Sequence, residues 1–395
     1  YTTLFRSDRV NGSVFGELKP IEGLVVKSAL GIDLTDSIAD SFRPLFYLNS
    51  AQNNTEKTSV SKHIWRKFRW QWDNTISYSK KIANHNFSVL GGTSAIEEKY
   101  ENLYGFNAKV PVNDPDHVYL NMATDTVWKA YGGAAHAAQF SLFCRVTYDY
   151  SGRYSFTGIF RRDGSSKFGK NRRNGSFPSV GFSWLVTDEP FMPEMPRIYF
   201  IKLRTSWGKN GNQKIGDYPF VSAMNQTRRY IFGSGSVIGA SPSFVPNADI
   251  HWEESEMLNL AIDLGAFENR FTATIDYYIK TTHDLLERVP IPAHVGNDPP
   301  YANIGSVQNR GVEVSLKWKH KYNDFNYAVG LNVGYNHNEM IKVMSDIGGA
   351  SWAVGGRITR ADVGLPIAYF WGYRTDGLFQ NWSEVYQHIS SSGQL

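Results

Sequence analysis

One cysteine, Cys144, occurs in 395 residues, so no internal disulfide framework is open to the chain. No run of about 18 apolar residues occurs, so no segment can cross a bilayer as a helix. There is no linker, charge block or low-complexity tract to divide the sequence, and it reads as one architecture over residues 1–395. Lys and Arg are dispersed, and a net charge of +4 with a pI near 8.8 falls short of a nucleic-acid footprint. The opening Tyr1-Thr2-Thr3 has neither the basic nor the apolar region of a secretory leader, so the chain is expected to be processed, truncated or incompletely represented.

Catalytic signatures are missing too. There is no H-E-x-x-H or C-x-x-C spacing for a metal, no G-x-S-x-G elbow and no P-loop. Gly233-Ser234-Gly235 with Gly239 has the wrong spacing for a dinucleotide fingerprint. Asn113-Asp114-Pro115-Asp116 clusters oxygens but lacks the glycine and distal glutamate of a calcium loop. No catalytic residue, metal site or cofactor is assigned, and the chain is expected not to be an enzyme.

What the sequence does have is alternation. Phe140, Leu142, Cys144, Val146, Tyr148 and Tyr150 alternate with Ser141, Phe143, Arg145, Thr147 and Asp149; Ser151-Gly152 turns the chain, and Tyr154, Phe156, Gly158 and Phe160 resume the pattern. On this pattern Cys144 is a small hydrophobe on the apolar face rather than a nucleophile. Six such hairpins span about Asn11 to Leu34, Trp70 to Gly92, Gln139 to Ser165, Phe177 to Lys209, Trp252 to Asp284 and Ile304 to Met340, giving about twelve strands. Long loops are expected near Asp40 to His63, Glu98 to His136, Asn210 to Asp249, Arg288 to Ala302 and Ile341 to Leu395.

Short turns at one end, long loops at the other and one greasy face per strand describe a transmembrane antiparallel β-barrel. A hydrophobic fraction of 42%, a mean hydropathy of −0.37 and an aromatic fraction of 14% fit it, because only alternate residues meet lipid and aromatics form girdles. A sugar-binding β-sandwich is also aromatic-rich. In the fifth hairpin Leu258, Leu260, Ile262, Leu264, Phe271, Ala273, Ile275, Tyr277 and Ile279 are expected to face lipid, with Asn259, Asp263, Thr272, Thr274, Asp276 and Lys280 facing the lumen. In the sixth, Val312, Val314, Leu316 and Trp318 oppose Glu313, Ser315, Lys317 and Lys319.

Several ordered fragments resemble the SusC/RagA family of TonB-dependent outer-membrane transporters from Bacteroidetes, over about Tyr148 to Asn381. They are Asp163 to Gly169 with Gly175-Ser176-Phe177-Pro178-Ser179-Val180, Leu203 to Gly208 with Gly211-Asn212-Gln213, and Trp252-Glu253 with Asp276-Tyr277-Tyr278 and Thr282 to Leu286. Asn303 to Val307 with Asn309 to Glu313, then Gly364-Leu365-Pro366-Ile367, Gly372-Tyr373 and Asp376 to Asn381, complete the set.

The resemblance implies a 22-stranded barrel closed by an N-terminal plug. The chain would be a partial barrel in which the plug and the C-terminal closing strands are absent. A twelve-stranded sheet alone would leave open edges in hydrocarbon, at several kcal/mol for each unpaired backbone group, so the remaining strands are expected elsewhere. The implied function is TonB-dependent active import of an oligosaccharide or oligopeptide across the cell outer membrane of a Bacteroidetes-like Gram-negative bacterium. A SusD-like surface lipoprotein and the TonB complex would be partners, the latter through the plug, with outer-membrane lipid around the barrel. A passive porin or structural barrel, and a secreted carbohydrate-binding β-protein, are the alternatives. Arg145, Asp149, Asp263, Asp276 and Glu313 are the candidates to line the lumen. Tyr218, Phe220, Tyr230, Phe232 and Trp352, with Trp371 and Trp382, are the loop aromatics on which a ligand could stack; loop packing or an aromatic girdle is the competing role.

Overall fold

The computed structural model describes residues 2–114, 118–126, 128–193, 195–222, 224–225, 229–233, 235–289, 291–343, 359–372, 375 and 377–387. Twelve strands form one antiparallel sheet in which each strand pairs only with its neighbours in sequence. They are β1 (Thr2–Leu18), β2 (Leu24–Arg43), β3 (Ser59–Ile82), β4 (His85–Ala108), β5 (Lys129–Tyr150), β6 (Tyr154–Ser165), β7 (Asn174–Leu185), β8 (Ile198–Asn212), β9 (Glu253–Ala266), β10 (Phe271–His283), β11 (Ser306–Tyr322) and β12 (Phe325–Lys342). A meander of this kind is what successive hairpins with one apolar face produce.

The faces are those that the alternation requires. Leu260 lies opposite Tyr277 and Ile262 opposite Ile275, and these continue onto Val312 and Val314 of β11. This apolar face is the exposed one: Leu260 and Ile262 are 45% and 46% exposed, whereas the side chains of Asp263 and Asp276 on the other face are 20% and 22% exposed. Greasy outside and charged inside is the inverse of a soluble protein, and it is the pattern of a wall whose outer face meets lipid. Cys144 is exposed on this outer face.

Connections differ sharply between the two ends. At one end β3 passes to β4 through Ala83-Asn84, β11 to β12 through Asn323-Asp324, and β5 to β6 through Ser151-Gly152-Arg153. Ser151 and Gly152 have φ of 53° and 73°, the left-handed geometry that lets a tight hairpin match the twist of its strands. At the other end the connections carry short ribbons, such as Phe46–Asn49 with Gln52–Asn54 and Arg229–Phe232 with Gly235–Ile238.

Two of the expected loops are shorter than the sequence suggested. β2 runs on to Arg43 and β3 begins at Ser59, while β4 continues to Ala108 and β5 begins at Lys129. β3 and β4 are each 24 residues long, far more than the 9–11 or so that cross a bilayer, whereas β6 and β7 have 12 each. The surplus projects from the loop end. On the outer face of the tall section Leu30, Ile32, Leu34, Trp70 and Trp72 give way to a charged row, Asp8, Asp36, Arg66 and Glu101, aligned across four strands, with Arg66 Nε 2.7 Å from an Asp36 oxygen.

Candidate functional site

The inner wall carries its charges as a network. Arg204 of β8 lies opposite Ala261 of β9, and Ala261 opposite Asp276 of β10. The small side chain of buried Ala261 leaves the guanidinium room to spread across the sheet. Arg204 donates to both oxygens of Asp263, at 2.6 and 3.0 Å, and its Nη2 stands 3.6 Å from Asp276. Thr274 donates to Asp263 at 3.0 Å. Such a forked, charge-assisted contact fixes both partners on the pleat.

The five lumen candidates occupy different settings. Asp263 and Asp276 share the Arg204 network. Glu313 lies opposite Asp276 on β11 and makes no ion pair among the described residues. Arg145 is exposed on the inner face between Leu90 and Ile159, also without an ion pair among the described residues. Asp149 sits apart at the turn end. It accepts from Ser155 Oγ at 2.7 Å, from the Gly152 amide at 3.0 Å and from Asn86 at 3.2 Å, so its carboxylate fastens a hairpin. Arg204 was not among the sequence candidates, although its alternation with Leu203 and Thr205 would have marked it.

At the loop end, three connections grow from a common core of Phe168, Phe177, Ile215, Ile250, Trp252 and Leu286. Trp252 packs its ring on Phe168 and Phe177, at 5.2 and 5.4 Å between centroids, and donates to the Arg173 carbonyl at 2.9 Å. The Phe177 ring covers Gly175 and Gly211, where a β-carbon would stand only 2.5 and 2.1 Å from it. Glu253 accepts from the Leu286 amide and the Asn212 side chain, and Asn303 bridges the carbonyls of His251 and Asp284. Phe168, Phe177, Gly211, Asn212, Trp252, Glu253, Leu286 and Asn303, drawn from four of the stretches that carry the family resemblance, therefore meet at the loop roots.

The loop aromatics divide in two. Phe220 packs against the root core, and the Tyr218 hydroxyl lies 3.3 Å from His136 Nδ1. Tyr230 and Phe232 stand exposed on their ribbon. Arg360 lies 3.9 Å over the Trp371 ring, and Trp382 is exposed at the start of the short helix Trp382–Gln387. Trp352 lies outside the described residues, as do Pro115 and Asp116 of the acidic cluster. A further aromatic group went unread in the sequence: Phe5, His63, Tyr104 and Tyr131 stand at one register level on the inner face of the tall section, with Trp65 beside them.

Comparison with known proteins agrees with this architecture. The family model described as TonB dependent receptor-like, beta-barrel, matches residues 20–390. TonB-dependent receptor P39 of Formosa agariphila is 33% identical over 369 residues, which is 92% of this chain and 34% of that protein. TonB-dependent receptor SusC of Bacteroides thetaiotaomicron is 30% identical over 356 residues, covering 85% of this chain and 34% of SusC. A solved structure of the RagAB peptide transporter superposes with a TM-score of 0.81 at 27% identity, over 93% of this chain and 40% of the matched one. The chain thus spans well under half the length of these relatives.

Proposed function

The chain belongs to the TonB dependent receptor-like β-barrel family, one of transporters and receptors rather than enzymes, and from that premise we propose that it forms part of the wall of an outer-membrane importer. The cargo is a nutrient of oligosaccharide or oligopeptide size, a SusD-like surface lipoprotein presents it, and TonB supplies the energy. The twelve strands are a sector of a larger barrel in a Bacteroidetes-like outer membrane, with the outer edges of β1 and β12 taken up by other strands, since hydrocarbon tolerates no unpaired ladder. Arg145, Asp263, Asp276 and Glu313 line the route, and the exposed ribbon aromatics Tyr230 and Phe232 meet cargo above it.

The observation that carries this reading is the polarity of the wall from end to end: a charged inner face, tight turns at one end, and at the other a packed root from which the long connections rise. The test is uptake of a labelled nutrient by cells bearing the protein. Uptake lost on deletion of TonB supports the importer; uptake indifferent to TonB and to loss of the proton gradient gives the passive pore instead. Mass spectrometry of the detergent-purified complex gives a second reading, in which a co-purifying surface lipoprotein is expected.

A further inference from the structure

We propose that the inner face of the projecting wall holds a docking site for a neutral oligosaccharide, in the cavity under the connection between β2 and β3. The choice of cargo rests on the import reading, but the site's location does not. The cavity measures about 520 Å³, within the range of ligand pockets. Its floor is Tyr104 and Phe106 of β4, its sides Ser61 of β3 and Arg43 of β2, and its roof includes Glu56 and Lys57. Ser41, Ser61 and Phe106 share one register level, so the strand residues lining it come from a single face.

The roof is preformed. Asn54 donates to the carbonyls of Pro44 and Lys57 at 2.6 and 3.0 Å, closing the connection on itself. Thr58 donates to the Val110 carbonyl at 2.9 Å, and Asn113 accepts from the Leu45 amide at 3.0 Å, tying this connection to the next. A roof held this way loses little freedom when a ligand enters. The Ser61 hydroxyl, the Glu56 carboxylate and the Tyr104 hydroxyl make no hydrogen bond to another described residue, so they remain to bind one.

The chemistry selects the ligand class. Aromatic rings below, with the Ser61 and Tyr104 hydroxyls and the Glu56 carboxylate around them, suit a ring with apolar C–H patches and a rim of hydroxyls. Lys57 is already engaged, its Nζ 3.1 Å from an Asp125 oxygen, and Glu56 adds a carboxylate to the lining, so an anion meets no concentrated positive charge. An extended peptide would gain most from an open strand edge, and here β2, β3 and β4 are paired on both sides, so no backbone ladder is offered. The rings also continue beyond the cavity: Tyr104 stacks on Tyr131 at 4.6 Å, His63 meets Tyr104 at 5.8 Å and Trp65 at 4.7 Å, and Trp65 meets Phe5 at 5.8 Å. Because these faces point inward they form no part of a lipid-facing girdle.

The experiment is a screen of the full-length protein in detergent against a neutral glycan array, followed by calorimetric titration with the best glycan and with hexaalanine. A glycan is expected to bind, with Tyr104→Ala weakening it about tenfold or more, as for loss of one aromatic platform. Tyr104→Phe keeps the ring and is expected to stay within a few-fold, and Tyr230→Ala, on a separate ribbon, to change nothing. Heat-modifiable gel migration confirms that each variant is folded. The proposal is overturned if no glycan binds, if Tyr104→Ala leaves affinity unchanged, or if hexaalanine competes for the site. Uptake that remains TonB-dependent while Tyr104→Ala has no effect on affinity would remove the site and keep the importer. Glycan binding that needs Tyr104, with uptake indifferent to TonB, would do the reverse.

Discussion

Arg204 grips both oxygens of Asp263 while standing 3.6 Å from Asp276, so one guanidinium holds two inner-wall carboxylates on consecutive strands. Arg204→Met should leave those carboxylates facing each other with no cation between them. The expected cost is about 1–3 kcal/mol, moderated by water in the lumen. Thermal unfolding in detergent measures it, and Asp263→Asn in the same background should recover part of the loss; a purely additive double variant would show that the pair is uncoupled.

Ile275 and Thr274 are neighbours on opposite faces of β10. Ile275→Arg places a charge in lipid and should cost about 2–4 kcal/mol near the midplane. Thr274→Arg enters the lumen beside Asp263, where it gives up one hydrogen bond and gains a counter-charge, so it should be tolerated. Folding into vesicles as a function of urea compares the two, and equal damage would contradict the assignment of faces.

Phe177 lies over Gly211 with no room for a β-carbon. Gly211→Ala must push that ring off Trp252, and overpacking of this kind costs about 1–3 kcal/mol. Hydrogen exchange at the roots of the three connections should rise, and Phe177→Leu should relieve the clash in the double variant.

Glu189, in the connection between β7 and β8, accepts from the Tyr154 hydroxyl and from Trp184 Nε1, and lies 3.6 Å from Arg153. These contacts, the Tyr154 hydrogen bond first, hold its pKa below the usual carboxylate value. A depressed folded-state pKa stabilises the fold above the unfolded value of about 4.3, and the benefit fades as pH falls through the lower folded value. Trp184 emission, isolated by difference against Trp184→Phe, should therefore change only in acid below that value; a transition centred above it would refute the assignment.

Cys144 is the chain's single cysteine and faces outward. In vesicles a lipid-soluble maleimide should label it and a membrane-impermeant one should not.

Within the lipid band the sequence was legible residue by residue, because there the outer face must be apolar and the inner face need not be. The assignment of Leu260, Ile262, Ile275 and Val314 to one face and Asp263, Asp276 and Glu313 to the other follows from that single constraint. Above the band the constraint lapses. Lys62, Arg66, Glu97 and Glu101 occupy outward positions in water, so the contrast between faces vanishes and Ser59 to His63 reads like a loop although it is strand. The inner aromatics His63, Trp65, Tyr104 and Tyr131 were missed for the same reason. The reach of Arg204 across Ala261 was hidden for another: it depends on which residues oppose one another, and that register is set by turns far away along the chain.

The Trp252-centred core separates what is fixed from what is free to vary. The connection between β8 and β9 enters it at Ile215 and Phe220 and leaves it at Ile250, with Asn247 tied to the Tyr301 carbonyl just before, so only the residues between Phe220 and Asn247 can change in length and character while the same rings and hydrogen bonds close the rim. If the wall serves import as proposed above, it can be refitted to a different nutrient by exchanging loop tips alone, and its strands need not diverge for its diet to do so.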